Sequence, residues 1–391
     1  MTGLSWTFVY GRESAMNWKW VSGIVVAGVA VVMLGRLGLD TEQESLVMEC
    51  QRDLAALPDF LLENDTGATD HLQQKGRKHF THAMTQARAA ADRVSTRSEC
   101  DKVLNRYLQA YRGTHLWLMA LHDGGPSWEE SWQAQTTSTP TIEPLTKDTL
   151  LLTLPGFAHA QGEALAALMT EKETTLSAYP NWIIDIRNNG GGTDSSFQPL
   201  LPYLLSDELY LPGIELLSSS NTLDGYGAMC ARFMDDLASC QRMVEPRIAA
   251  LAQTPHGQYT TAGEDSMRTF RVPAAASQPQ RVAVLIDQGC GSSCESFALM
   301  ARQGFAVKLL GRPTIGALDY SNMVPWILPS EQRELFYASS RRMALPEYSV
   351  DIAGVAPDIY LPKPQDPEQE IEQVRRWLEG GSLQPVMADA D

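Results

Sequence analysis

From Thr149 to Leu310, short apolar runs alternate with helical stretches, and this alternation limits the possible folds more than any other feature of the chain. Thr149–Leu154, Trp182–Ile186, Val282–Ile286 and Val307–Leu310 read as strands. Gly162–Leu176, Phe197–Leu205 and Glu295–Gln303 lie between or after them and read as helices. Such an order predicts an α/β domain with a largely parallel sheet. Upstream, from Thr41 to Arg112, apolar residues recur at helical spacing (Leu46, Met48, Leu54; Ala83, Ala87, Ala91). Ser95 and Thr96 followed by Glu99 form a capping-box pattern for a helix ending near Tyr111, and Gly113 stops it. The expected organisation is an N-terminal segment (1–40), a helical domain (41–123), a linker rich in Ser, Thr, Pro and Trp (124–145), the α/β core (146–365) and a C-terminal helix and tail (366–391). Residues 206–280 are less regular and hold a Cys-flanked helical piece, Ala228–Arg242. Ile327–Leu335 and Phe336–Met343 read as a late hairpin.

A chain of 391 residues with 44% hydrophobic content can bury more than one core. Its formal charge of −16 repels phosphate backbones, which sets nucleic acid aside as a partner. Val21–Leu34 carries no charge, follows Trp18-Lys19-Trp20 and is closed by Arg36. It is short for a membrane span, which needs about 20 residues, but suits a signal sequence or a signal-anchor. With no clear small-x-small cleavage site after it, an uncleaved anchor is the preferred expectation. That places the protein in the bacterial periplasm, tethered to the inner membrane. A buried core helix is the other reading. The six cysteines all follow this segment, and an even count beyond an export signal fits three disulfides. Cys50–Cys100, Cys230–Cys240 and Cys290–Cys294 are the expected pairs, although spacing alone does not select them. No CxxC or Cys/His cluster supports zinc.

Two motifs carry candidate chemistry. The first, DIRNNGGG (185–192), follows a strand. Its three glycines permit positive φ and close backbone approach, so N–H groups can converge on an anion. A phosphate loop, an oxyanion hole and a plain turn all remain open, though no GK[ST] follows. The second, GCGSSCESFA (289–298), sets Ser292 between a strand and a helix. A serine there is either an N-cap or a nucleophile at the carboxyl edge of the sheet.

Together these motifs resemble the C-terminal processing (tail-specific) serine peptidases and their tricorn-core relatives. Those proteins pair a D-[LI]-R-x-N-x-G-G loop with a strand leading to S-x-x-E, matched here by DIRNNGGG and SSCE (292–295). VDIAGVAPD (350–358) is similar to their closing V-E-x-x-G-[VI]-x-P-D block. The resemblance runs over roughly 145–362 and implies a crotonase-like (ClpP-like) spiral core. By position it implies Ser292 as nucleophile, with the N–H groups of Ser293 and Gly191 as the oxyanion hole. Gly190, Gly192, Asp319 and Tyr320 would line the substrate site. The substrate would be a peptide or unfolded protein, and no metal or organic cofactor is implied.

The departures concern the base. Ala317 in Thr314-Ile-Gly-Ala-Leu318 stands where processing peptidases carry a lysine. Thr153 stands where the tricorn branch carries a histidine. Tyr111-Arg-Gly-Thr-His115-Leu resembles the family's upstream F-x-D-G-H-[TL] segment, so His115 is the candidate base, its ordinary pKa near 6.5 suiting neutral pH. A helix-capping His is the plainer reading. Asp351, at the position of the tricorn-type acid, would orient that base, or else be a solvated hairpin residue. His159 and Lys308 read mainly as surface residues. Cys294 is a weaker alternative nucleophile. The expectation is therefore a serine-type peptidase. A catalytically inactive peptide- or lipid-binding module on the same fold is the alternative, and a small-ester hydrolase a third reading.

Overall fold

The computed structural model describes residues 43–122, 138–233 and 237–380. Val21–Leu34 and most of the 124–145 linker lie outside the described residues. Among the described residues no helix is long and apolar enough to cross a membrane.

Four helices open the described chain: 43–64, Ala68–Lys75, Arg77–Ala91 and Arg97–Gln109. The fourth begins with the reciprocal cap its sequence indicates. Thr96 Oγ1 accepts from the Glu99 N–H at 3.2 Å, and the Glu99 carboxylate accepts from the Ser95 N–H and hydroxyl at 2.8 Å. The strands follow in chain order as β1 (Trp117–Ala120), β2 (Thr141–Pro144), β3 (Thr149–Thr153), β4 (Asn181–Asp185), β5 (Glu208–Pro212), β6 (Ile214–Leu217) and β7 (Tyr259–Thr260). Then come β8 (Met267–Arg271), β9 (Arg281–Ile286), β10 (Val307–Gly311), β11 (Tyr320–Ile327), β12 (Arg333–Arg342) and β13 (Ile359–Tyr360).

The first sheet has the order β13-β10-β9-β4-β3-β2. All neighbours are parallel except β2, which runs antiparallel to β3 at the edge. This is the α/β core the alternation predicts. Its central strands are apolar throughout because both faces are covered. Trp182, Ile184, Val282, Val284 and Ile286 face one layer, which includes Leu165, Met169, Phe297 and Ala298 from the helices His159–Glu171 and Ser293–Ala301. Ile183, Ala283 and Leu285 face Val374 and Leu378 of the C-terminal helix Pro367–Leu378. The segment expected as a helix at Phe197–Leu205 is instead a 3-10 helix, Asp194–Leu200, and a single turn, Leu201–Leu204. Pro199 and Pro202 remove the N–H groups a continuous α-helix needs.

The second sheet centres on β12, with β11 antiparallel on one side and β1 and β6 on the other. The late hairpin therefore exists but is displaced. Its first strand starts at Tyr320, and residues 328–332 form the turn, pinned where Ser330 donates its N–H and hydroxyl to Asp53 at 2.9 and 2.6 Å. The N-terminal helices do not close a core of their own. Leu54, Leu57, Leu61, Leu104 and Leu108 pack in one cluster with Leu216, Tyr226, Val324, Leu335 and Tyr337. Two buried ion clusters bind the helices to the rest of the chain. Arg333 meets Glu49, Asp53 and Asp101, and Arg112 meets Asp65.

All three expected disulfides form. Cys50–Cys100 joins two of the opening helices, and Cys230–Cys240 joins Ser220–Phe233 to Leu237–Gln253. Cys290–Cys294 closes the turn between β9 and the helix Ser293–Ala301.

Candidate active site

Ser292 sits at φ 56° and ψ −123°, a region that side-chain-bearing residues rarely occupy. Holding it there costs about 1–3 kcal/mol, and such strain persists only when the surroundings over-determine it. Here the surroundings do so. The Cys290–Cys294 bridge ties both ends of the turn, and the fully buried Cys294 thereby leaves the list of nucleophiles. The Ser292 N–H donates to Glu295 Oε2 at 3.1 Å. Its carbonyl takes the N–H groups of Glu295 and Ser296, at 2.8 and 3.1 Å. An N-cap serine has extended backbone and offers its side-chain oxygen to the helix. Ser292 has neither feature, and its hydroxyl makes no cap hydrogen bond.

The glycine loop lies against this turn. A side chain at Gly191 (φ 98°) would meet the Gly291 carbonyl at 2.6 Å and Ser293 N at 3.0 Å, so only glycine permits the approach. The rest of DIRNNGGG anchors the loop. Asp185 grips Arg187, Arg187 pairs with Glu370 of the C-terminal helix, and Asn189 Nδ2 donates to the Leu154 carbonyl at 3.0 Å. The expected oxyanion donor Gly191 is already engaged, because its N–H donates to Asn189 Oδ1 at 2.9 Å. Ser293 N–H and Gly192 N–H have no partner among the described residues. Gly192 also takes the Ser293 hydroxyl on its carbonyl at 3.1 Å, and both residues line the same cavity. Gly190 has open space around it and does not line that cavity.

The third piece is the loop 314–320. Glu295, fully buried, holds it to the Ser292 turn. One oxygen accepts from the Thr314 hydroxyl and the Gly316 N–H (2.5 and 2.8 Å), the other from Ala317 N–H (2.8 Å) as well as Ser292 N–H. Ala317, in the position of the family's lysine, stands beside Gly291. Asp351 and Asp319 fasten the far end reciprocally. Asp351 Oδ1 accepts from the Leu318 and Asp319 N–H groups at 2.7 Å. Asp319 accepts from the Val350 and Asp351 N–H groups and from the Ser349 hydroxyl. Burial pushes Asp351 up to about 6. Asp351 thus braces the loop. Asp319 is 1% exposed and Tyr320 5%, and neither lines the cavity. Asp319 turns to the Val350 and Asp351 N–H groups, and Tyr320 donates a hydrogen bond to Asp70 at 2.9 Å.

His115 reaches the site from the loop before β1. Its Nδ1 lies 2.6 Å from the Tyr320 carbonyl oxygen. A carbonyl only accepts, so Nδ1 carries the proton and Nε2 is left as the basic nitrogen. Burial holds the imidazole down to about 4, so it is neutral at physiological pH. Ser292, Ser293, Gly192 and His115 line one cavity of about 570 Å³. His159 lines it as well, 3.9 Å from Glu163, whereas Lys308 is exposed on β10. Thr153 ends β3, paired with Asp185, and does not line the cavity.

Asp194 is a cavity residue that the motifs did not flag. Its carboxylate lies beside the Ser293 and Ser296 hydroxyls, with Arg268 nearby. Its one sequence signal is an acid two positions after the last glycine of the loop. Arg247, Arg268 and Arg342 reach the cavity from segments distant in the chain, which no local pattern marks.

The model of peptidase family S41 matches residues 148–361. A crystal structure of a CPAF mutant superposes with a TM-score of 0.61 at 11% identity, covering 87% of this chain and 100% of that one. Mature CPAF gives 0.56 at 12% identity, with 86% and 99% covered. A putative peptidase from Parabacteroides merdae gives 0.51 at 13%, with 84% and 96% covered. At such identities these likenesses concern the fold alone. No curated protein matches the chain. The family match spans more than half of the sequence and takes in β3 to β13, with DIRNNGGG, SSCE and VDIAGVAPD inside it. The chain belongs to peptidase family S41.

Proposed function

We propose that this protein is a serine-type peptidase with Ser292 as nucleophile and His115 as general base. The observation that carries the reading is the strained, uncapped Ser292 sharing one cavity with the free Nε2 of His115. The Ser292 hydroxyl adds to the peptide carbonyl as its proton passes to His115 Nε2. The resulting oxyanion is met by the N–H groups of Ser293 and Gly192, the first at a helix N-terminus where the dipole favours negative charge. Collapse expels the amine, which takes the proton from His115 and leaves an acyl-enzyme. Water, deprotonated by the same nitrogen, then releases the acid. A substrate peptide of exported proteins is the expected class, since three disulfides suit an oxidising compartment. Val21–Leu34 would serve as the tether.

A serine-directed fluorophosphonate tests the reading. Wild type is expected to label and to cleave an unfolded protein, and Ser292→Ala to do neither. The alanine at 317 motivates a second reading, an inactive peptide-binding module. Absence of labelling in the wild type, together with retained peptide binding, would decide for it.

A further inference from the structure

His115 is a non-glycine residue at φ 52°, in the left-handed region, and something must hold it there. The grip comes from outside the matched family region. Arg112 donates from Nε to the Thr114 carbonyl at 3.0 Å and from Nη2 to the His115 carbonyl at 2.9 Å, so it holds the carbonyl on each side of the strained residue. The same guanidinium makes a two-pronged pair with Asp65, with side chains 4% and 0% exposed. Asp65 is itself fixed by the Gly67 and Ala338 N–H groups, at 3.0 and 3.2 Å. Arg112 also lies over the Tyr320 ring, 5.4 Å from its centroid, while the Tyr320 carbonyl takes the His115 Nδ1 proton. Thr114 Oγ1 completes the circuit by donating to the Gly316 carbonyl at 3.4 Å, on the loop that Glu295 ties to Ser292.

We propose that Asp65 and Arg112 are positioning residues for the reaction: their buried pair carries the N-terminal helices' hold on the His115 imidazole and sets it against Ser292. This rests on His115 being the base. A guanidinium suits the task because its rigid fork serves a carboxylate and two carbonyls at once, whereas an ammonium on a flexible stem does not. Packing around the pair is tight. A side chain at Gly67 would meet Arg112 Nη1 at 2.6 Å and the Tyr320 ring at 3.0 Å. The helices ahead of the peptidase core are therefore part of the catalytic apparatus rather than an appended cover.

The test is saturation labelling of the full chain with a fluorophosphonate, separating the maximal labelling rate from the apparent affinity of the probe. Arg112→Lys and Asp65→Asn are expected to lower the maximal rate about 100-fold, the scale of a misplaced catalytic group, with the affinity unchanged. Asp53→Asn breaks a comparable buried pair, that of Arg333, away from His115. It is expected to lower the melting temperature and leave the labelling rate as in wild type. Should Asp65→Asn not fold, Gly67→Ala, which crowds Arg112 without removing a charge, carries the same expectation. Labelling rates in Arg112→Lys and Asp65→Asn that equal wild type, or that fall no more than in Asp53→Asn, overturn the proposal. If His115→Ala labels normally, the base assignment fails and takes the positioning role with it. If His115→Ala is dead while Asp65→Asn is normal, the positioning role alone fails.

Discussion

The two partners of the candidate site are held by opposite means. Ser292 belongs to the parallel-sheet half, where it is fixed chiefly by short-range devices, a disulfide closing a turn of a few residues and a glutamate three positions on, with Gly191 of the neighbouring loop packed against the backbone. His115 belongs to the half built from the helices and the β12 sheet. It is held by long-range contacts, Asp65 to Arg112 and Nδ1 to the Tyr320 carbonyl. A nucleophile has to be kept in a strained backbone state, which rigid local bonds do well. A base has to be aimed across a cavity, which requires a frame extending to the other side. The consequence is that the two halves should fail differently.

The comparison breaks first at Ser292→Ala, where labelling and peptide cleavage should fall to background. Next comes His115→Ala, with a loss of about 10²–10⁴-fold in kcat/KM, the usual worth of general-base catalysis. In wild type the base works when unprotonated, so kcat/KM should hold from pH 8 downward and fall only as pH drops through about 4, well below the ordinary histidine value. A limb near 6.5 would contradict the buried imidazole. Glu295→Gln should cost about 1–3 kcal/mol in stability, because its amide N–H₂ must face either the Thr314 hydroxyl and Gly316 N–H or the Ala317 and Ser292 N–H groups, and leaves buried donors there unpaired. Denaturant titration checks it. Replacing Cys290 and Cys294 by serine should cost about 2 kcal/mol, the small closed loop limiting the entropic gain, and should slow labelling. The weakest effect is expected at Asp351→Asn. Burial raises the Asp351 pKa above its unfolded value, so its contribution to stability is present below the unfolded pKa and lost as pH rises through about 6. The melting temperature of the asparagine variant should gain on wild type between pH 4 and pH 7, while labelling stays nearly constant.

What could be read in advance follows the same division. DIRNNGGG and SSCE announced the Ser292 turn because each is a compact motif: a glycine loop after one strand, and after another a serine with an acid within one helical turn. The apolar runs announced β3, β4, β9 and β10, since a strand covered on both faces has no polar side to disguise it. The Thr96–Glu99 cap was equally legible, whereas the cysteine count pointed to three disulfides without selecting their pairing. The β11–β12 hairpin was misplaced because its first strand opens with the polar residues Ser321 and Asn322, whose partners lie on β12. Asp319 and Tyr320 stand next to the vacant lysine position and so invited a substrate role, but chain proximity does not say which way a side chain turns. Gly191 and Gly192 are indistinguishable in a run of glycines until Asn189 is seen to occupy the N–H of one of them.

The sequence by itself determined the fold class and the turn that presents Ser292, which rest on strong apolar periodicity and on compact motifs, whereas the pairing of Cys50 with Cys100, 50 positions apart, needed the fold. The tertiary structure decided how the proposed base is held. Burial keeps the His115 imidazole neutral, and a carbonyl about two hundred positions away, at Tyr320, fixes its tautomer, while the ion pair of Asp65 with Arg112 grips its backbone. Both interactions depend on where folded backbone brings polar groups together out of water, which no local pattern of residues encodes.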